Sequence, residues 1–526
     1  MPSISKACAC CARNRTPVLH SPIFWTLAAG LGVLFGYANP WTQLPIASLL
    51  LPIALASFGM AAPTPWTAFK HAWRIGSVAS FACLYWVYWP VMYYGEIHWA
   101  LSLPMPVLLA MAMGCYYGLF GLAAHLSNRI SHVLATMFLG FAWTVMELAQ
   151  ASLLSGFSWL TLSSAFVSWP MVVQAASVIG AYGVSGVLAA IAVGLVLGVR
   201  CRMCLLVPLC GTLALLVFGW QRMDSYAETT PAHNVAVVQG NIDQSIKWDP
   251  AYQRSTMDTY VRLSREVAAN SNPELIVWPE TSMPFYFQDD TPLRAPALEL
   301  VRSGKAALIV GAPAYERTAA PRSFVLFNRA FLLSGADAKM TWYDKEHLVP
   351  FGEYMPFSSI IPVDKIISGV GDFVPGKNEQ ALKSGDLALG MLICYEAIFA
   401  ELAQERVAQG ANLLINISND AWFGSTSAPH QHLQLTALRA IEQGRYIVRS
   451  TNTGLSAFID PLGRIKLAGP QFQQLATSGM VHTRTELTQF HVLYGYLLMG
   501  LGALAVLFAI LIIRGVGRPG QNHSLR

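Results

Sequence analysis

Residues 75 to 128 contain no lysine or arginine, and their single acidic residue is Glu96. A stretch of this length without charge does not suit a soluble domain, in which about a quarter of the residues are charged. Over all 526 residues, 12% are charged and 54% are hydrophobic. The apolar pattern predicts about eight membrane spans, near 22–38, 43–60, 75–94, 103–126, 133–153, 171–199, 203–221 and 492–513.

The basic residues of the tails and short connections fall on one side of this arrangement. They are Lys6, Arg13, Arg15, Lys70, Arg74, Arg129, Arg200, Arg202, Arg514, Arg518 and Arg526. Because basic residues are retained in the cytoplasm, both termini are predicted to be cytoplasmic and residues 222–491 non-cytoplasmic. The net charge of +5 is therefore mostly a topological signal, and no basic stripe with interleaved aromatic residues indicates nucleic-acid binding.

The predicted domains follow from these spans. They are an N-terminal tail (1–21), a membrane domain (22–221), a globular domain (222–491), a last helix (492–513) and a C-terminal tail (514–526). Within the globular domain, strands are predicted at 235–239, 275–278, 306–310, 324–333, 340–343, 387–393 and 413–417, and helices at 249–270, 293–303, 397–409 and 431–444. This alternation predicts a layered α/β domain with mixed sheets.

Cys394 is the only cysteine between residues 222 and 491, and it follows the apolar run 387–393. The domain faces an oxidising compartment, yet Cys394 has no second cysteine in the domain with which to form a disulfide. An unpaired thiol of this kind is a candidate nucleophile. The alternative is a buried core cysteine, which is a common position for this residue.

Two further strand ends carry reactive side chains, Glu280 after 275–278 and Lys345 after 340–343. In an acyl transfer, Glu280 would accept the thiol proton, and Lys345 would favour the thiolate and stabilise a tetrahedral oxyanion. Taken singly, each could be an ordinary surface charge. Three such placements around an unpaired cysteine favour a shared active site.

Other candidates carry weaker signals. His430 and His432 lack an evident third metal ligand, and the cluster at Cys8, Cys10 and Cys11 lacks a second ligand pair, so no metal or cofactor is predicted. Arg439, Arg445 and Arg449 could contact a phosphate headgroup, although a solvated or paired face is the favoured interpretation.

Three blocks of the globular domain resemble the nitrilase superfamily. They are Trp278 to Glu280, Tyr343 to Tyr354 and Cys394 to Glu396. With spans on both sides of the domain, the chain is most similar to the membrane branch, the apolipoprotein N-acyltransferases. Segments 238–242, 247–250, 419–424 and 156–160 also resemble that family.

The resemblance implies an αββα sandwich with the catalytic triad Glu280, Lys345 and Cys394. It also implies supporting roles for Glu353 and Glu396, which could orient Lys345, and places Trp248 and Tyr395 near the substrate.

The implied reaction is ping-pong, from a membrane phospholipid to the amino group of a diacylglyceryl-cysteine at the N-terminus of an apolipoprotein. The implied location is the bacterial inner membrane, with the catalytic domain in the periplasm.

Two other functions compete with this interpretation. A membrane-tethered amidase would use the same triad on a soluble substrate, although one span would suffice as its tether. A transporter or scaffold would need ionisable residues along a membrane path, and the spans offer mainly Glu96 and Glu147. A further hypothesis makes residues 358–377, an apolar loop rich in glycine and proline, a flap that dips into the bilayer.

Overall fold

The computed structural model describes residues 21–95, 98–318, 324–356 and 372–516. The flap hypothesis for 358–377 therefore concerns a segment that, up to residue 371, lies outside the described residues. Among the described residues, ten α-helices precede the globular domain: α1 (Pro22–Gly36), α2 (Leu50–Ala61), α3 (Pro65–Leu84), α4 (Tyr88–Tyr93), α5 (Trp99–Ser102), α6 (Pro104–Leu126), α7 (His132–Ser152), α8 (Pro170–Val173), α9 (Ala176–Gly198) and α10 (Leu206–Asp224). The globular domain contains α11 (Pro250–Ser271), α12 (Ala295–Ser303), α13 (Ala400–Ala408) and α14 (Ala428–Gln443), and α15 (Gln489–Val516) follows it.

Within the described residues, six helical segments are long and apolar enough to cross a membrane. They are Pro65–Tyr93, Trp99–Arg129, His132–Ser155, Ala176–Gly198, Arg202–Asp224 and Gln489–Arg514. They correspond to the last six predicted spans. The first two predicted spans are shorter apolar helices, Pro22–Gly36 and Pro45–Ala61. A helix of 15 residues is about 22 Å long, against a hydrocarbon core of about 30 Å, so a count of eight spans stays a prediction.

The third span begins earlier than predicted. Thr64 caps α3 by accepting a hydrogen bond from the amide of Thr67, and Pro65 occupies the first helical turn. Lys70 and Arg74, which were placed in a connection, therefore lie inside the first turns of α3. The apolar window missed this start because the two charges interrupt it.

In the described part of the globular domain, the strands form two six-stranded sheets. The strands are β1 (Ala232–Gln239), β2 (Leu275–Val277), β3 (Ala307–Arg317), β4 (Phe324–Ser334), β5 (Lys339–Asp344), β6 (Leu382–Ser384), β7 (Leu387–Ile393), β8 (Leu413–Ser418), β9 (Ile447–Thr451), β10 (Ala457–Ile459), β11 (Ile465–Ala468) and β12 (Leu475–His482). The first sheet has the order β12-β1-β2-β3-β4-β5, and the second has the order β11-β10-β9-β8-β7-β6. Both mix parallel and antiparallel pairs, for example β1 parallel to β2 and antiparallel to β12. The prediction of mixed sheets is confirmed, while β6 and the four strands after α14 were not predicted.

The two sheets pack face to face around buried side chains such as Val237, Ile309, Met391 and Ile415. Helices α11 and α12 cover the outer face of the first sheet. Helices α13 and α14 cover the second sheet, and their apolar side chains belong to the same core as those of the membrane helices. The α/β sandwich therefore has one helical layer away from the membrane domain and one pressed against it.

Candidate active site

Cys394 occupies a strained turn between β7 and a one-turn 3₁₀ helix, Cys394–Ile398. Its φ of 52° lies in the left-handed region, which costs a non-glycine residue of order 1–3 kcal/mol. The predicted helix at 397–409 accordingly begins only at Ala400. Such a turn projects the thiol from the end of the strand, and Cys394 is 8% exposed.

Glu280 is held by donors from two other segments. Its Oε1 accepts a hydrogen bond from the side-chain amide of Asn328 at 2.7 Å, and its Oε2 accepts one from the backbone N–H of Asn419 at 2.9 Å. Gly311 on β3 allows the backbone at Glu280 to pack closely against that strand, because a Cβ at residue 311 would lie 2.8 Å from the Cα of Glu280. The carboxylate is thus fixed in position before any substrate binds.

Lys345 is buried between two carboxylates. Its Nζ lies 2.8 Å from Oε2 of Glu353 and 3.6 Å from Oε1 of Glu280. Burial by itself would lower the pKa of Lys345, but Glu353, Glu280 and the neighbouring Cys394 outweigh it and raise the pKa above its ordinary value. An ammonium group has three N–H donors, so one remains for a substrate oxygen beside the two ion pairs.

The surroundings of Cys394 favour the protonated thiol. Burial, followed by the charge of Glu280, raises the pKa of the Cys394 thiol well above its ordinary value, although Lys345 opposes the shift. The expected effect of Lys345 is therefore present but smaller than the effects that oppose it. A thiol whose pKa is raised must lose its proton to a base during attack, which is the role predicted for Glu280.

Glu353 and Glu396, predicted as supporting residues, act at different places. Glu353 contacts Lys345 directly, and it also accepts hydrogen bonds from the Asn328 side chain at 2.7 Å and from the Val349 amide at 2.8 Å. This arrangement holds the loop after β5 against the ammonium group. The contact agrees with the predicted orienting role of Glu353.

Glu396 instead joins backbone segments on either side of the site. Its Oε1 accepts from the amides of Glu346 and His347 at 2.7 and 3.1 Å and from Tyr343 Oη at 3.0 Å, while its Oε2 accepts from the Ile393 amide at 2.6 Å. Burial raises the pKa of Glu396 to about 7 despite these donors. The side chain therefore ties the Cys394 turn to the residues that follow Lys345, and its predicted effect on Lys345 stays a prediction.

The two predicted substrate residues lie in different settings. Tyr395 is buried, and its hydroxyl donates to the carbonyl oxygen of Gly156 at 2.9 Å, which ties the nucleophile turn to a loop of the membrane domain. Gly156 has a φ of 76°, and a Cβ there would clash with the carbonyl of Ala151. Trp248 is half-buried in the turn before α11, on the segment that carries Gln244. Their substrate roles stay predictions.

Asn328 and Lys247 belong to the site but were not assigned a role from the sequence. Asn328 bridges Glu280 and Glu353, and its signal was a polar residue inside an apolar strand, where burial demands a partner. Lys247 is 1% exposed, and within the described residues its Nζ has no hydrogen-bond partner. Burial lowers the pKa of Lys247 to about 7, although the charge of Glu280 opposes that shift.

The chain matches two family models in succession. Residues 24–194 match the apolipoprotein N-acyltransferase N-terminal domain, and residues 234–484 match the carbon-nitrogen hydrolase family. Over 465 residues the chain is 36% identical to the apolipoprotein N-acyltransferase of Geobacter metallireducens, covering 83% of this chain and 88% of that protein. The chain belongs to the apolipoprotein N-acyltransferase family. Over 508 residues it is also 33% identical to the apolipoprotein N-acyltransferase of Pseudomonas aeruginosa PAO1, covering 92% and 95% of the two chains.

Among solved structures, a carbon-nitrogen hydrolase from Helicobacter pylori G27 is similar to the globular domain. It has 16% sequence identity and a TM-score of 0.36, and the match covers 48% of this chain and 89% of that one.

Membership of the apolipoprotein N-acyltransferase family makes the chain a multi-pass membrane enzyme rather than a transporter or scaffold. The acyltransferase prediction is therefore confirmed, and the comparisons give no support to the amidase alternative. Glu280, Lys345 and Cys394 all fall within the residues that match the carbon-nitrogen hydrolase family.

Proposed function

We propose that the enzyme transfers a fatty acyl chain from a membrane phospholipid to the amino group of an N-terminal diacylglyceryl-cysteine, through a thioester on Cys394. The observation that carries this proposal is the buried Lys345 ammonium, held by Glu353 and Glu280 beside a cysteine on a strained turn. This arrangement supplies a nucleophile, a base and an oxyanion donor for acyl transfer.

In the first half-reaction, Glu280 takes the proton of the Cys394 thiol as the sulfur attacks the ester carbonyl. A C–S bond forms, and the carbonyl electron pair moves onto oxygen, where the free N–H of Lys345 and the amide N–H of Tyr395 stabilise it. Collapse of this intermediate breaks the C–O bond to glycerol. Glu280 returns the proton to the leaving oxygen, so a lysophospholipid departs and a thioester remains.

In the second half-reaction, the acceptor amine attacks the thioester carbonyl and the same oxyanion site is used again. Glu280 removes the proton that the attacking nitrogen must lose. The C–S bond then breaks, an amide bond remains on the acceptor, and the proton held by Glu280 returns to the cysteine sulfur. The cycle thus restores the resting thiol.

Contacts between the site and the membrane domain support a membrane-borne donor. Beside the contact of Tyr395 with Gly156, an imidazole nitrogen of His347 lies 2.7 Å from the carbonyl oxygen of Ser155, and the Ser158 hydroxyl donates to the Ile398 carbonyl at 3.1 Å. Because these three contacts join the active site to membrane segments, we infer that its acyl donor is a lipid rather than a freely diffusing amide.

The acyl-enzyme provides the direct test of this proposal. Purified enzyme incubated with phospholipid should gain the mass of one long acyl chain by intact mass spectrometry, whereas incubation with a small soluble amide should leave the mass unchanged. Cys394→Ser should form no turnover-competent acyl-enzyme, because a hydroxyl is a poorer nucleophile without a matched base.

Cys115→Ser is a matched control, since Cys115 is an exposed thiol within α6. A wild-type turnover rate in Cys394→Ser would exclude the thioester mechanism.

The roles of the two charged residues can be separated from folding. Glu280→Gln should lower kcat by about 10²–10⁴-fold through loss of proton transfer. Lys345→Ala should lower it by about 10²–10³-fold or more through loss of an oxyanion donor. Both variants should remain monodisperse in detergent, and near-normal kcat in either would remove that residue from the chemistry.

The proposed location is the bacterial inner membrane, with the catalytic domain in the periplasm and both termini in the cytoplasm. An impermeant thiol label added to cells with a permeabilised outer membrane should reach a cysteine engineered at Asp337, in the turn between β4 and β5. Labelling only after the inner membrane has been broken would reverse the proposed orientation.

A further inference from the structure

His432 on α14 lies directly beneath the nucleophile turn. Its Nε2 is 3.0 Å from the backbone carbonyl oxygen of Cys394, and the side chain is fully buried. The Trp159 ring of the membrane domain packs against its imidazole, with the ring centroids 5.5 Å apart. This contact with the nucleophile residue is made to its backbone, so we expect the effect of His432 on the reaction to be indirect.

The neighbours of His432 determine its tautomer. A carbonyl oxygen only accepts hydrogen bonds, so Nε2 must carry a proton. Nδ1 lies 3.1 Å from a guanidinium nitrogen of Arg449, which only donates, and 3.4 Å from Oδ1 of Asp420, which only accepts. The distance to Asp420 exceeds the usual N–H···O range of about 2.7–3.2 Å, so the shorter contact with Arg449 assigns Nδ1 as an unprotonated acceptor. Burial and the charge of Arg449 lower the pKa of His432, although Asp420 opposes them, which agrees with a neutral ring that has its proton on Nε2.

Arg449 is itself fixed by buried acceptors. It donates to the two carboxylate oxygens of Asp420 at 2.8 and 3.1 Å and to the side-chain oxygen of Asn416. The Ser418 hydroxyl also donates to Asp420, at 2.7 Å. The guanidinium group therefore has little freedom to turn away from Nδ1.

The carbonyl that His432 contacts belongs to the peptide group whose N–H is the proposed oxyanion donor. The C=O of Cys394 and the N–H of Tyr395 belong to one planar peptide group and point in opposite directions. That N–H lies in the first turn of the one-turn helix Cys394–Ile398, where amides have no partner within the helix. A donor on the carbonyl therefore fixes the direction of the N–H, and it also polarises the N–H as a donor.

We propose that His432 is a positioning residue that aims the Tyr395 amide N–H at the oxyanion, and that Arg449 and Asp420 hold His432 in the required tautomer. This inference rests on the proposed function, because it needs an oxyanion that forms at Cys394. These three residues lie behind the triad: His432 on α14, Arg449 on β9 and Asp420 in the segment after β8.

The test compares two reactions of the same thiol. Acyl transfer from phospholipid passes through an oxyanion, whereas alkylation of Cys394 by iodoacetamide displaces a halide and needs none. His432→Asn keeps a polar group beside Arg449 but is too short to reach the Cys394 carbonyl, while His432→Gln places an amide N–H near the position of Nε2.

We expect His432→Asn to lower kcat for acyl transfer at least about tenfold, below the 10²–10³-fold of losing an oxyanion donor outright. KM and the alkylation rate should stay within about threefold of wild type. His432→Gln should recover most of the lost kcat.

His430→Asn is the matched control, because His430 lies two positions earlier on α14, is half-buried and, within the described residues, leaves its Nε2 without a partner. It should retain the acyl-transfer rate.

Equal losses in Asn and Gln variants, or a matching fall in the alkylation rate, would overturn the positioning role of His432. Full activity of His432→Asn would do the same. Failure of the proposed function has a different signature, namely acyl transfer that survives in Cys394→Ser.

Discussion

Helices α11 and α14 cover opposite faces of the sandwich, and their outer sides meet different surroundings. Helix α11 buries one face against the first sheet, while Arg254 and Arg262 form exposed pairs with acidic residues one turn later. In α14 every residue except His430 is buried, because the membrane domain takes the place of water on its outer side. Polar residues that would be solvated on α11 must therefore find protein partners on α14.

Those partners join the catalytic and membrane domains. The side-chain oxygen of Gln431 accepts from the indole N–H groups of Trp86 and Trp159, and Glu442 accepts from the amide of Ala181 and pairs with Arg439. The charged residues of α11 therefore face solvent, whereas polar residues of α14 dock the catalytic domain onto the membrane domain. The following predictions test this contrast, from the largest expected effect to the smallest.

The ion pair of Arg439 and Glu442 should be the most sensitive point. Glu442→Gln retains an acceptor for the Ala181 amide but removes the ion-pair partner of the buried Arg439, which leaves the charge of Glu401 nearby and should cost up to about 3–5 kcal/mol of the free energy of unfolding. Thermal unfolding in detergent measures this loss. The double variant Arg439→Leu with Glu442→Gln should recover part of it, and no recovery would argue against an unpaired charge as the cause.

Gln431→Leu should produce the next largest loss. It leaves two buried indole N–H groups without an acceptor, and each unsatisfied group costs about 1–3 kcal/mol. As a control from the other layer, Gln253→Leu on α11 removes one partly buried bond to Pro284. A loss in Gln431→Leu no greater than in this control would contradict the proposed difference between the layers.

Lys247, just before α11, is a buried charge that has no hydrogen bond to any of the residues the structure describes, unlike the paired charges of α14. Its pKa falls to about 7 in the folded protein, so the unfolded chain binds more protons above that pH. The resulting destabilisation is complete below pH 7 and disappears as the pH rises towards the unfolded value of about 10.4.

Lys247→Met should therefore raise Tm by about 2–4 °C at pH 7 if it removes about 1 kcal/mol of this penalty. The gain over wild type should shrink steadily from pH 7 to pH 10. A gain that does not change with pH would mean that packing, rather than charge burial, is responsible.

Arg262→Ala should have the smallest effect. It removes an exposed pair with Glu266, whose N–O distance is 2.8 Å, and such pairs contribute about 0.3–0.5 kcal/mol. Added salt should reduce even this difference. A loss in the free energy of unfolding as large as that of Glu442→Gln would show that the difference in exposure between α11 and α14 does not determine the strength of their ion pairs.

The three strand-end residues were predictable because each carries its signal locally, as an apolar run that ends in a reactive side chain. The roles of Asn328 and His432 depend on residues that meet only in the folded chain, so spacing gave no signal for them. Strand β9 was missed because its buried Arg449 and Ser450 interrupt the apolar pattern, and both are satisfied only by tertiary contacts. The raised pKa of Cys394 likewise depends on its burial, and this burial cannot be predicted from the residues next to Cys394 in the sequence.

The pairing of β12 with β1 has a consequence for the order of synthesis. β1 is among the first parts of the globular domain to be made, yet one of its edges stays open until residues 475–482 exist. A nascent chain that stops earlier would expose that edge to other strands. The first sheet therefore stays incomplete until residues 475–482 have been made, and these residues lie shortly before Gln489, where the last helix begins.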